Sequence, residues 1–149
     1  MKHDYERLKQ DIIFEESQID ILIEKIEKLS KDELTETKVA AIATYLMNFY
    51  NGVENIMKRW AKEYYKKVPK EDAWHKELLQ LSCSCNRGKI AIFNKEVVDR
   101  LYSYLMFRHF FIHGYGFKLN WEKMRSLVGN IGDLWKEIKK QLSEFIANI

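Results

Sequence analysis

Apolar residues recur along most of this chain at the spacing of amphipathic helices. Leu8, Ile12, Ile19, Leu22, Ile23, Ile26 and Leu29 form one stripe, so residues 8–29 read as a helix that breaks at Ser30-Lys31-Asp32. Val39, Ile42, Ala43, Leu46, Phe49, Tyr50, Val53, Ile56, Met57 and Trp60 place a second helix over residues 36–67. Gly52 either bends it or admits a close neighbour, and Pro69 ends it, because the residue before a proline is biased away from helix. A short helix follows over residues 72–81, opened by Glu71 and Asp72, whose charges suit the helix dipole. Residues 82–93 read as a loop with Asn86-Arg87-Gly88 as its turn.

Asn94 is placed to cap the next helix, which runs to His113, and Gly114 and Gly116 offer left-handed backbone to end it. Asn120 caps the last helix, residues 121–147, whose apolar stripe runs from Met124 to Ile146 and is weakened near its middle by Gly129 and Gly132. Four long helices and one short one predict an all-α fold, an antiparallel bundle, in a single domain spanning residues 1–149.

Composition changes this picture little. With one proline and six glycines, breakers are too few for an all-β chain of many turns. Apolar residues make up 46% and charged residues 32%, an ordinary balance for a folded domain. The net charge of +3 does not by itself imply a nucleic-acid partner. Its distribution says more. Lys58, Arg59, Lys62, Lys66, Lys67 and Lys70 cluster around Trp60, Tyr64 and Tyr65, a mixture able to grip phosphates and stack bases. The simpler reading is a solvated helix face with its aromatics turned into the core. Lys58, Arg59, Lys62 and Lys66 are the candidate RNA-binding residues if the sharper reading holds.

Cys83 and Cys85 match neither a CxxC pair nor a zinc set, and read as reduced thiols of a cytoplasmic protein. Residues 1–10 are polar throughout, so no signal peptide is expected, and no apolar run approaches a membrane span.

The concentrated chemistry lies in Arg108-His109-Phe110-Phe111-Ile112-His113-Gly114-Tyr115, an R-x4-H-x-Y pattern inside a very apolar stretch. Charged and titratable groups on an apolar helix cost free energy unless they are paired or used. Arg108 and His113 are about 140° apart on an ideal helix, yet arginine has a long reach and Gly114 lets the helix end unwind. An arginine fork matches phosphate oxygens, and an imidazole can act as base or acid. RNA carries its own nucleophile, the 2′-hydroxyl, so such a pair can cleave it without a metal or another cofactor. Two proton transfers are needed and each chain offers one well-placed histidine, which favours a homodimer with two sets facing one cleft. Against this stand plainer roles. The arginine could pair with a carboxylate, and His113 could complement the helix dipole. His109 and His113 at i, i+4 lack the glutamate of an HExxH site. His75 reads as a helix-surface or core-edge residue.

Beyond the motif, Trp74-His75-Lys76-Glu77-Leu78-Leu79, Arg87 and the run from Phe107 to Phe117 together resemble HepT-like domains of the HEPN superfamily, which are all-helical ribonucleases. The resemblance implies a toxin of a type VII-like toxin–antitoxin system. Arg108 and His113 would cleave RNA without metal, with His109 as the polar neighbour. It implies a partner too, a minimal nucleotidyltransferase antitoxin that adenylylates the motif tyrosine, Tyr115. HEPN-type domains lacking the catalytic pair imply an alternative, a non-catalytic helical partner that presents substrate to, or inhibits, such a nucleotidyltransferase. The Arg108/His113 pair favours the nuclease.

Overall fold

The structure, a computed structural model, describes residues 4–114 and 119–149 of the 149-residue chain. Among these residues the secondary structure is helical: α1 (Glu6–Lys31), α2 (Glu36–Arg59), α3 (Trp74–Leu81), α4 (Lys95–His113) and α5 (Trp121–Ala147). A π-helical turn, Trp60–Tyr65, continues α2. The protein is all-α, as the periodicity predicts.

α1, α2 and α5 each bury the stripe read from the sequence. Leu8, Ile12, Ile19, Ile23 and Ile26 of α1 pack with Ile42, Leu46, Phe49, Val53 and Ile56 of α2 and with Ile131, Leu134, Ile138 and Leu142 of α5. α2 lies against α1, α3, α4 and α5, so it is the axis of the core. Residues 32–35 are enough to connect α1 to α2, and Thr35 caps α2 by accepting from the Lys38 amide at 3.2 Å. Gly52 proves to be a point of close approach: a Cβ there would lie 2.9 Å from the Ile19 side chain. Asn94 and Asn120 cap α4 and α5 as expected, accepting from Val97 and Glu122 amides, each at 2.9 Å.

Two expectations change. The second helix does not run regularly to residue 67. It widens at Trp60 and stops at Lys66, whose φ of 64° is left-handed. The cause is the aromatic cluster: Trp60, Ala61, Tyr64 and Tyr65 are all buried, which an α-helical face accommodates poorly. An i→i+5 turn brings residues five apart over one another, and Trp60 stacks on Tyr65 with ring centroids 4.5 Å apart. The second change is at the end of α4. Gly114 has φ −106° and ψ 171°, extended rather than left-handed. Glycine is still favoured there, because a Cβ would meet the Phe110 carbonyl oxygen at 2.9 Å. Gly116 lies outside the described residues.

The loop after α3 is anchored at its ends. The buried Ser82 carbonyl accepts from both Ile92 and Phe93 amides at 3.0 Å, and the Asn86–Lys89 turn closes with paired backbone bonds. The short helix begins at Trp74, two residues later than its acidic lead-in suggests, and Leu78 and Leu79 hold it against the core.

Candidate functional site

α4 is oriented by its buried face. Val97, Leu101, Tyr104, Leu105 and Phe107 point inward, and the Tyr104 hydroxyl donates to the Leu127 carbonyl of α5 at 2.6 Å. With that face fixed, the last two turns present Arg108, His109, Ile112 and His113 to a groove of about 480 Å³. Asp72, Ala73, His75 and Lys76 line it from the start of α3. Arg108 and His113 therefore share one groove despite their separation on an ideal helix. His109 and His113, one turn apart and both exposed, bring their rings to 4.5 Å between centroids.

Arg108 is half-buried, and among the described residues it does not find the ordinary carboxylate partner. Its Nη1 lies 3.4 Å from His75 Nδ1, while its Nε is buried without a hydrogen-bond partner among the described residues. His75 Nδ1 is 2.7 Å from Oε2 of Glu54, a carboxylate of α2 that is only 3% exposed. The shorter contact fixes the protonation. A carboxylate oxygen can only accept, so at 2.7 Å Nδ1 carries a proton and donates it. Nδ1 then cannot accept from Arg108 as well, and the guanidinium sits beside the imidazole–carboxylate pair as a neighbouring charge. Trp74 covers a face of the His75 ring at 3.6 Å between centroids, and Lys58 Nζ lies 4.7 Å over Trp74.

Tyr50, one turn before Glu54 on α2, is fully buried, and its hydroxyl has no hydrogen-bond partner among the described residues. Burial pushes its phenol far above the usual tyrosine range; the Glu54 charge adds to this and Arg108 opposes it. The phenol is therefore a neutral polar group at the floor of the cluster.

The remaining sequence candidates lie elsewhere. Lys58, Arg59, Lys62 and Lys66 are all exposed, but none lines the groove, and Arg59 is paired with Asp11 at 2.9 Å. Trp60, Tyr64 and Tyr65 are buried, so the aromatics of that stretch serve the core and offer no stacking surface. Tyr115 lies outside the described residues. Among the described residues no group of His, Cys, Asp and Glu could hold a metal ion, and no helix is long and apolar enough to cross a membrane. Cys83 and Cys85 are free thiols.

Sequence reasoning missed Glu54 and undervalued His75. A signal for Glu54 was present: it is a charged residue next to Val53 and two before Ile56, one turn from Tyr50, beside a stripe that is otherwise apolar. Nothing local marked His75 as its partner.

A family model described as "HepT-like protein" matches residues 41–149. That span holds Glu54, His75, Arg108, His109, His113 and Tyr115, and omits α1, its connection to α2 and the first turn of α2. No curated protein and no solved structure matches the chain.

Proposed function

The chain belongs to the HepT-like family of the HEPN superfamily, and from that premise we propose that it is a metal-independent endoribonuclease, the toxin of a toxin–antitoxin pair. The observation that carries this reading is the convergence of Arg108 and His113 on one groove, with His109 beside them. In the reaction the RNA 2′-hydroxyl attacks the adjacent phosphorus as a base removes its proton. The P–O5′ bond breaks as an acid protonates the departing 5′-oxygen. The products are a 2′,3′-cyclic phosphate and a 5′-hydroxyl. Arg108 holds the charge on the phosphorane oxygens, and His113 performs one of the proton transfers. Lys58, Arg59, Lys62 and Lys66 lie exposed outside the groove, where they can hold RNA backbone beyond the cut.

The reading extends to assembly and control. The four long helices run antiparallel in one cytoplasmic domain, and two chains form a homodimer. Tyr102, Met106 and Phe110 support the dimer: they recur every four residues on α4 and remain exposed beside the groove, with Ile112 next to them. A minimal nucleotidyltransferase antitoxin adenylylates Tyr115, two residues after His113, setting a bulky anion beside Arg108.

The test is cleavage of RNA by purified protein in EDTA, with the ends identified by mass. Cyclic phosphate ends, lost in both Arg108→Ala and His113→Ala, are expected. Tyr115→Phe should keep cleaving and escape silencing by the nucleotidyltransferase with ATP. A chain that binds the nucleotidyltransferase yet leaves RNA intact is the non-catalytic partner instead.

A further inference from the structure

We infer that His75, held by the buried Glu54 carboxylate, is a second proton-transfer residue of the Arg108/His113 groove. The inference rests on the ribonuclease reading and deepens it. A single chain then carries two imidazoles and a guanidinium around one site, and the second proton transfer need not come from a partner chain.

Three observations converge. The first is the hydrogen bond from His75 Nδ1 to Glu54 at 2.7 Å. A carboxylate fixed on Nδ1 sets the tautomer, so that the neutral ring presents Nε2 as a base and the charged ring presents an Nε2 proton as an acid. No hydrogen bond engages Nε2 among the described residues. The second is placement. His75 lines the groove with Arg108 and His113, and its side chain is 32% exposed, sheltered yet reachable. Its ring is held at one edge by Glu54 and on one face by Trp74, so its position is set before substrate arrives. The third is cost. A carboxylate 3% exposed is expensive to bury, and apolar contacts alone could dock α3, since Leu78 and Leu79 are already buried. Arg108 Nε and the Tyr50 hydroxyl, unpartnered among the described residues, add to the polarity left in this junction.

The protons balance within the chain. One imidazole takes the 2′-hydroxyl proton as P–O2′ forms, and the other, charged at the start, gives its proton to the 5′-oxygen as P–O5′ breaks. The pair ends with its roles exchanged and its total charge unchanged. Glu54 touches no reacting atom. It is a positioning residue for His75.

The experiment is single-turnover RNA cleavage by the full chain, comparing the parent with His75→Ala, His75→Gln, Glu54→Gln and the Arg108→Ala control, each checked for helicity by circular dichroism. His75→Ala and His75→Gln should each cleave about a hundredfold slower or worse. Added imidazole should restore at least about tenfold to the alanine variant, which has room for it. Glu54→Gln should lower the maximal single-turnover rate about tenfold with the half-saturating protein concentration unchanged. His75→Gln keeps the side-chain volume, so it decides the matter should the alanine variant fail to fold. Cleavage at the parent rate by either folded His75 variant, with Arg108→Ala dead, overturns this inference and leaves the ribonuclease standing. So does a loss that imidazole does not rescue. A parent chain that cleaves no RNA overturns both.

Discussion

Two polar clusters tie helices of this protein together, and they are built on opposite terms. Between α1 and α5, Asp20 accepts from the Trp135 indole at 2.7 Å and from Lys139 Nζ at 3.0 Å. Both donors meet one carboxylate oxygen, Oδ1, and the charges of the cluster reach solvent, with Asp20 and Lys139 side chains both more than a third exposed. At the junction of α2, α3 and α4, the carboxylate is buried, the imidazole donates to it with the guanidinium crowded alongside, and Arg108 Nε and the Tyr50 hydroxyl stay unpartnered among the described residues. The first arrangement is what a structural tie needs. The second sacrifices satisfaction to crowd an arginine, a histidine and a carboxylate beside an open groove, which a tie does not need.

The contrast can be tested by removing one group at a time. The largest effect should come from Arg108→Ala, which should slow RNA cleavage by about a hundredfold to a thousandfold, as loss of a transition-state donor does. Thermal unfolding followed alongside should show the variant still folded. An Arg108→Ala protein that cleaves normally would put the junction in the same class as the α1–α5 tie. Asp20→Ala should do the reverse. It leaves the buried Trp135 indole without its acceptor, so urea unfolding should show a loss of about 1–3 kcal/mol, nearly all from that bond. The Lys139 pair is too exposed to add much. Cleavage should be unchanged. The smallest and sharpest effect is one of sign. Tyr50→Phe deletes a buried hydroxyl that has no partner among the described residues, so the same urea measurement should show a gain of about 1 kcal/mol. A loss there would mean the hydroxyl is engaged, and the two clusters would differ less than their geometry suggests.

How far the sequence could be read follows from what each feature depends on. The helices were legible because their signals are local. Stripes at helical spacing reappear as buried faces in α1, α2 and α5, and Asn94 and Asn120 sit at starts where their side chains take a free amide. The π turn was not legible, since Trp60, Ala61, Tyr64 and Tyr65 fit a helical pattern until all four have to be buried together. Arg108, His109 and His113 were legible as a motif, and they do share the groove. His75 was assigned to a helix surface or core edge, because its meaning comes from Glu54, 21 residues away on another helix. A hydrogen bond across helices leaves no periodic trace in either one.

The turn at Trp60–Tyr65 also makes this helix tolerant of a change in chain length. An i→i+5 turn encloses one residue more than the i→i+4 turn it replaces. Loss of the exposed Lys62 would let the segment close as ordinary α-helix. Trp60 and Tyr65 would then stand four apart and still meet, and the chain from Lys66 onward would keep its place. The same deletion a few turns earlier, near Glu54, would rotate everything after it by about 100° and carry that carboxylate's neighbours off the junction. Relatives one residue shorter between α2 and α3 should therefore have lost it at the wide turn and kept the spacing that brings His75 back to Glu54.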